Sequence, residues 1–587
     1  MSETHDRGAT AAAPPMGSAV AFALAASLLA ALTLAGLGHP LVWQDEGETV
    51  MFGQRVREFG YPRVHDGRNV VYGMGLPLAD AVDEDDDAYI GSLWGQYYFA
   101  ALGVALAEGV EDPWARTARL RMPFALAGLL GLALAFLAVS GSVPPGRGAR
   151  LRAAAVYAVV LCSCTSLILH VREVRYYALV VLLIGACLCV HFRGGTGRAR
   201  AALLQTVLLT LLFNVFYPAA VGVAAWLVLE GGLRVHRRNG GLGERISAEA
   251  PLALALLTAL LIALPVAAYF EIVALSQLMS ARWAFGPDVY LENIGFVLRY
   301  LLRFEFLAPA LLAHGGLLAL RGVAGRPAPD VAEPMEKAAA LLRLCLCLGL
   351  IGARNPIYFE RYFVPLSALL VLVVGLDAIA LSRWLRAAWS EGPEIARRVA
   401  AATAGLLLLS LPVLVLIKSP ELAGHLHQVA HPYRGPLDHV IPDLAARYPD
   451  PAALTIATNY EAEAYMYYLG SRVVGRFHDA RPAARSAEAA VRADVIVPRG
   501  GQPKGLDTLE VFIEDGRFTR HVYPVEDLPY NNIPELDRGR VLAMTHRFRS
   551  SARADGSPLV AYMRVEARAS AEADAADRAG SEPRAGD

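Results

Sequence analysis

At 587 residues the chain is long enough for several domains, yet 55% of it is hydrophobic and only 19% charged, with a mean hydropathy of +0.38. A soluble chain carries nearer a quarter charged residues, so these values exclude a wholly soluble protein. The formal net charge of -1 identifies no partner, and the basic residues lie scattered through short loops, so no nucleic acid is expected as a partner.

Apolar runs of about twenty residues recur, each long enough to cross a hydrocarbon core as a helix. In chain order they fall near 17–41, 121–141, 152–170, 174–192, 201–216, 218–233, 250–272, 296–320, 338–353, 361–382 and 399–417. The expected architecture is therefore an α-helical polytopic membrane protein of about eleven spans. Arginines cluster in alternate loops: Arg147, Arg150 and Arg152; Arg193, Arg198 and Arg200; Arg234, Arg237, Arg238 and Arg245; Arg321, Arg326 and Lys337; Arg383, Arg386, Arg397 and Arg398. Such loops belong in the cytoplasm. The N-terminal tail 1–16 is then cytoplasmic, and the long first loop 42–120 and everything after 418 face outward. The first run ends in "GLGHPLVWQDE" without a small-residue cleavage site, so it reads as a retained span. The stretch 92–110 is apolar but short; if it spanned, the arginine-rich loops would lie outside, so it is expected at the membrane surface or re-entrant.

After the last span, short β-like runs "ALTIAT" and "ADVIVP" alternate with the helical "EAEAYMYYLG", which predicts a small extracytoplasmic α/β domain over 419–565. The Ala/Glu/Asp/Arg-rich tail 566–587 has no apolar pattern and is expected to be disordered. The six cysteines form three C-x-C pairs, all within apolar spans, where cysteine acts as a small hydrophobe.

Chemistry concentrates where the chain leaves the first span, at "LVWQDEGETVMFGQRV". Asp45 and Glu48 have the spacing of a capping box. The helix they would start carries Phe52, Val56 and Phe59 on one face and turns Arg57 and Glu58 away, which suits a surface helix. Charge at a membrane boundary is otherwise a mark of function, and a cap does not explain Glu46. Charge counting places Arg172, Arg175, Arg354 and Arg361 at turns on the same outer face. Guanidinium suits a phosphate ester because it forms paired hydrogen bonds to its oxygens. Structural readings stand beside these: Arg172 and Arg175 could pair with Glu173, Arg361 with Glu360, and Tyr97, Tyr98, Tyr176 and Tyr177 could be interfacial aromatics. The acidic run Asp83 to Asp87 reads as a solvated loop rather than a metal site, the outer loop "SARWAFGPDVYLENI" as a plain loop, and "YNNIPELDRG" at 530–539 as a turn with polar groups for an acceptor.

Four stretches, in order, resemble the GT-C glycosyltransferases, in particular the protein O-mannosyltransferases and lipid A aminoarabinose transferases. They are Asp45-Glu46 after the first span; "WGQYYFAALG" leading to Arg121-Met122-Pro123; the turn "HVREVRYYAL" with Arg172, Glu173, Arg175 and Tyr177; and "FERYFVPLSALL" with Arg361 and Tyr362. One departure is Leu93-Trp94-Gly95-Gln96, where many relatives have His-Pro-Pro. The resemblance implies a transmembrane catalytic domain over 17–418 that moves a sugar, with inversion, from a polyprenyl-phosphate carrier to an acceptor hydroxyl of a glycan, lipid or protein. It assigns Asp45 as general base and Glu46 as its partner, orienting the acceptor or a metal. With the charge counting above, donor-phosphate binding falls to Arg172, Arg175, Arg354 and Arg361, and substrate contacts are expected from Glu173, Tyr97, Tyr98 and Tyr362. A divalent metal ion is left open and no organic cofactor is expected. The rival reading is a lipid or polysaccharide transporter, which predicts charged residues inside the spans; an inactive GT-C-like scaffold is a third.

Overall fold

The computed structural model describes residues 16–72, 78–193, 197–324, 329–356, 360–391, 394–432, 434–475, 493–500, 506–514, 518–527 and 557–565. The tail 566–587 and the 530–539 stretch lie outside them, as does the Glu360 side chain. Helix α1 (Met16–Leu34) ends before the predicted 41, and residues 35–43 run on without regular structure to α2 (Gln44–Phe59). The first loop adds a single turn α3 (Leu78–Ala81), the antiparallel pair β1 (Val82–Asp83) and β2 (Ala88–Tyr89), and α4 (Gly95–Ala107). The acidic run is thus the turn of a small hairpin, and the 92–110 stretch is a helix of 13 residues.

Helix α5 (Pro113–Val139) begins eight residues before Arg121, because Asp112 caps it by accepting the Ala115 N–H at 2.7 Å and Pro113 supplies the first helical position. Two predicted spans prove to be broken. The 152–170 run divides at Cys162–Cys164 into α6 (Arg147–Leu161) and α7 (Thr165–His170). The 296–320 run divides at Glu305 into α13 (Pro287–Phe304) and α14 (Leu307–Ala324), following α12 (Ile272–Arg282). Glu305 is buried and its carboxylate accepts the Ser166 N–H at 3.0 Å, so the carboxylate replaces helix continuation with a bond to the facing break.

The bundle is completed by α8 (Tyr177–Arg193), α9 (Arg198–Val215), α10 (Tyr217–Arg237), α11 (Leu242–Tyr269), α15 (Pro329–Gly352), α16 (Val364–Glu391) and α17 (Glu394–Ala430). Among the described residues, six helices are long and apolar enough to cross a membrane individually, with α8 and α14 as shorter apolar helices. The protein is a polytopic membrane helical bundle. Charged side chains do occur within it, as pairs: Glu230 with Arg343 at 2.5 Å and His314 with Asp377 at 3.1 Å.

Because α17 runs on to Ala430, the sheet domain starts beyond the expected residue 419. It comprises α18 (Pro436–Arg447), α19 (Ala462–Leu469), α20 (Leu506–Ile513) and a five-stranded sheet. The strands are β3 (Thr455–Thr458), β4 (Arg472–Val474), β5 (Val495–Val497), β6 (Phe518–Glu526) and β7 (Pro558–Arg564), in the order β4-β3-β5-β7-β6. β3 is parallel to β4 and β5, while β7 is antiparallel to β5 and β6. The apolar β3 and β5 are central and buried, as expected for strands covered on both faces.

Candidate active site

α2 is not a bare surface helix. It is packed between α4 and α19 and buried along most of its length, with Arg57 and Glu58 exposed as the pattern predicts. Nor is Asp45 its cap: Trp43 holds the N-cap position without a side-chain bond, and Gln44, Asp45 and Glu46 form the first turn. Acidic groups there are favoured by the unpaired N–H groups and the helix dipole.

The two neighbouring acids have different environments. Asp45 keeps part of its side chain accessible and meets two arginines from distant segments. Arg361 Nη2 donates to its Oδ2 at 3.1 Å, and Arg175 Nη2 lies 3.8 Å from the same oxygen. Arg175 is held by donating through Nη1 to the Asp45 carbonyl at 3.0 Å and to Thr49 Oγ1 at 2.9 Å. Arg361 is buried and lies 5.1 Å from the Trp43 ring centre and 5.9 Å from that of Tyr362. Tyr176, stacked on Phe216 at 4.3 Å, sits under Arg175 at 5.4 Å. The result is a largely closed cleft with one partly accessible carboxylate, two guanidinium groups and an aromatic wall.

Glu46 does not face that cleft. It is fully buried, gripped by Nε (2.8 Å) and Nη2 of Arg121, and it accepts the Val174 N–H at 2.8 Å. Arg121 in turn donates to the carbonyls of Leu37 and Pro40 at 2.8 and 2.7 Å. Glu46 therefore joins α2 and α5 to the turn that carries Arg172 and Arg175, and it has no side open to an acceptor or a metal.

The other predicted residues divide. Tyr362 lies in the cleft wall, its ring parallel to that of Phe216 at 6.4 Å. Glu173 is buried and bonded to His170 Nδ1 at 3.1 Å, and Arg172 donates to the Leu32 carbonyl at 3.2 Å. Tyr97 is buried behind α2, donating to Glu48 Oε1 at 3.0 Å; burial pushes its phenol well up, and the Glu48 carboxylate adds to this. Tyr98 is half exposed and donates to the Gly60 carbonyl at 2.8 Å. Arg354 is exposed in the turn after α15, and its charge acts on Tyr217.

With Glu46 held by Arg121 and Glu48 by Tyr97, the acidic stretch presents one carboxylate to the cleft, which does not fit a resident divalent ion. Among the described residues no group of three or more His, Cys, Asp or Glu converges.

No protein-family model matches the chain, and no curated protein does. Solved structures do. The chain is similar to ArnT from Cupriavidus metallidurans in the apo state, at 16% identity and a TM-score of 0.49, over 94% of this chain and 98% of that one. It is also similar to the archaeal oligosaccharyltransferase AglB from Archaeoglobus fulgidus, solved with an inhibitory peptide and a dolichol-phosphate, at 13% identity and a TM-score of 0.41, over 87% of this chain and 73% of that one.

Sequence reasoning missed Trp43, Thr49 and Tyr176 as parts of the cleft. Thr49 was findable, since it stands four residues from Asp45 and so on the same helix face. The ring of Trp43 against Arg361 joins segments far apart in sequence, and no local pattern encodes it.

Proposed function

We propose that the protein is an integral-membrane glycosyltransferase of the GT-C type that moves a sugar from a polyprenyl-phosphate carrier to an acceptor hydroxyl at the outer face of the membrane, with inversion. One observation carries this reading: the accessible Asp45 carboxylate is bracketed by Arg361 and Arg175, 3.1 and 3.8 Å away, at the end of an apolar bundle. Asp45 takes the proton of the attacking hydroxyl, which needs a carboxylate within hydrogen-bond reach. The leaving group is a phosphate ester, which needs cationic stabilisation more than a proton, and Arg175 and Arg361 supply it. An incoming phosphate competes for both guanidinium groups, so donor binding releases the carboxylate oxygen they hold. Glu46 acts through Arg121 as a positioning residue rather than as the base's partner. The chain lies in the cell membrane with its N-terminus in the cytoplasm and its sheet domain outside.

The test is sugar transfer from radiolabelled polyprenyl-phosphate sugars, comparing wild type with Asp45→Asn. Asparagine keeps the size and loses the basicity. Transfer is expected to fall at least about 100-fold, the order of general-base contributions, with the protein still folded. Unchanged transfer overturns the assignment. A wild type that turns over none of these donors returns the transporter and scaffold readings.

A further inference from the structure

The parallel part of the sheet has β3 between β4 and β5, so the strand order reverses at β3. In open α/β sheets the crevice outside the carboxyl ends of the strands at such a reversal is where ligands bind. Here those ends carry Asn459 and Glu461 after β3 and Arg499 after β5, and what reaches them is the chain's own Gln44, the residue before Asp45. Gln44 is buried and its amide is used at both ends: Oε1 accepts the Glu461 N–H at 2.6 Å, and Nε2 donates to Glu463 Oε2 at 2.9 Å.

The receiving segment is firmly constrained. Glu461 has a φ of 58°, a left-handed conformation that a glutamate holds only when its surroundings over-determine it. Those surroundings are visible: its carboxylate pairs with Arg499, whose Nε donates to Asp527 at 2.5 Å, while Asn459 accepts the Arg499 N–H at 2.8 Å. Below it, α19 lies so close to α2 that a Cβ on Gly47 would sit 3.0 Å from Glu463 Cβ. The helix turn that bears Asp45 is thus held against the sheet domain by the Gln44 amide and by the close approach of Gly47 to α19.

We propose that Gln44 is a positioning residue through which the sheet domain sets the orientation of Asp45, so that this domain is part of the transfer machinery. The inference rests on the glycosyltransferase reading for its effect on turnover, but not for the docking itself. A swap separates the bond from mere tolerance of a side chain. In Gln44→Glu the new carboxylate still accepts the Glu461 N–H, but against the buried Glu463 side chain it must either repel a second carboxylate or take up a proton at neutral pH, and either cost weakens the docking. Adding Glu463→Gln restores a donor, with the amide and the acid exchanged.

The experiment uses the full chain in lipid nanodiscs and reads two quantities for wild type, Gln44→Ala, Gln44→Glu and the double Gln44→Glu/Glu463→Gln. The first is hydrogen exchange of the Asp45 to Thr49 amides; the second is kcat and KM for transfer from a polyprenyl-phosphate sugar. Both single variants are expected to exchange faster in that turn and to lose about ten-fold or more in kcat, with KM for the donor within about two-fold, as for an interaction felt in the transition state. The double variant is expected to regain both. Unchanged exchange in Gln44→Glu overturns the docking, and faster exchange with unchanged kcat overturns its link to Asp45. A double variant as impaired as Gln44→Glu also overturns the proposal. If wild type transfers no sugar from any donor tried, the functional reading has failed and the link to turnover with it, while the exchange pattern still decides the docking.

Discussion

Adjacent residues on an α-helix point about 100° apart, and at Asp45 and Glu46 that rotation separates an accessible carboxylate from a buried one. Breaking a buried ion pair by removing one partner leaves an uncompensated charge, at a cost of about 3–5 kcal/mol. Glu46→Ala and Arg121→Ala are each expected to lower the melting temperature sharply in detergent, whereas Glu46→Gln, which keeps an acceptor for the Val174 N–H, is expected to lower it less. A second expectation concerns pH in the first loop. Burial alone would raise the carboxyls of Asp66 and Asp87. Backbone N–H groups of Asn69 and Arg68 hold Asp66 below the usual aspartate range, and the His65 and Arg63 side chains hold Asp87 there. A depressed carboxyl contributes stability above its unfolded pKa and loses it as pH falls through the folded one, so the loop is expected to loosen below about pH 4. Proteolysis of the loop against pH checks this, and Asp87→Asn should flatten the response. At this scale the sequence showed Asp45, Arg175 and Arg361 because a charge beside an apolar run stands out. It could not show the partner of Glu46, which lies 75 residues away on another helix, nor that Tyr98 turns to the Gly60 carbonyl.

Helix periodicity gave the elements and misjudged their ends. The Asp45–Glu48 pattern of a capping box is not realised, because the helix starts at Gln44 with Trp43 at its N-cap, and the apolar run through Cys162 and Cys164 concealed a break that local hydropathy does not register. Close packing of α5 on α8 was equally silent in sequence. A Cβ on Gly131 would collide with the Leu182 backbone and one on Gly185 with the Gly131 carbonyl, so each glycine permits the other helix to approach. Since α5 carries Arg121 and α8 follows directly on Arg175, spreading this pair is expected to disturb the cleft. Gly131→Val or Gly185→Val should destabilise the protein by about 1–3 kcal/mol, the usual cost of overpacking, and thermal melting with a parallel transfer assay tests it.

For the molecule as a whole, the arginine-bearing loops and the sheet domain should lie on opposite sides of the membrane. Four of the six cysteines are buried and Cys189 and Cys347 are partly so, which leaves little native background for thiol labelling. Ala446→Cys, at an exposed position on α18, is expected to react with a membrane-impermeant maleimide on intact cells. Asn239→Cys, exposed in the loop after α10, is expected to react only after permeabilisation. The bundle's class and the presence of a late α/β domain were legible, because apolar run length and strand-helix alternation are local signals. The seam between them was not. It rests on contacts such as Leu41 N–H to Asp438, Val42 N–H to the Tyr468 hydroxyl, and Trp114 Nε1–H to Asp438, all joining residues more than three hundred positions apart.

That seam also has a consequence in time. Gln44 leaves the ribosome 419 residues before the Glu463 that receives its amide. At synthesis rates of about 5–20 residues per second, the first turn of α2 waits roughly 20–80 s for its partner. Until then only the α4 side of its buried face can be covered, and a chain that ends between Arg361 and the sheet domain holds Asp45, Arg175 and Arg361 without the contact from Glu463.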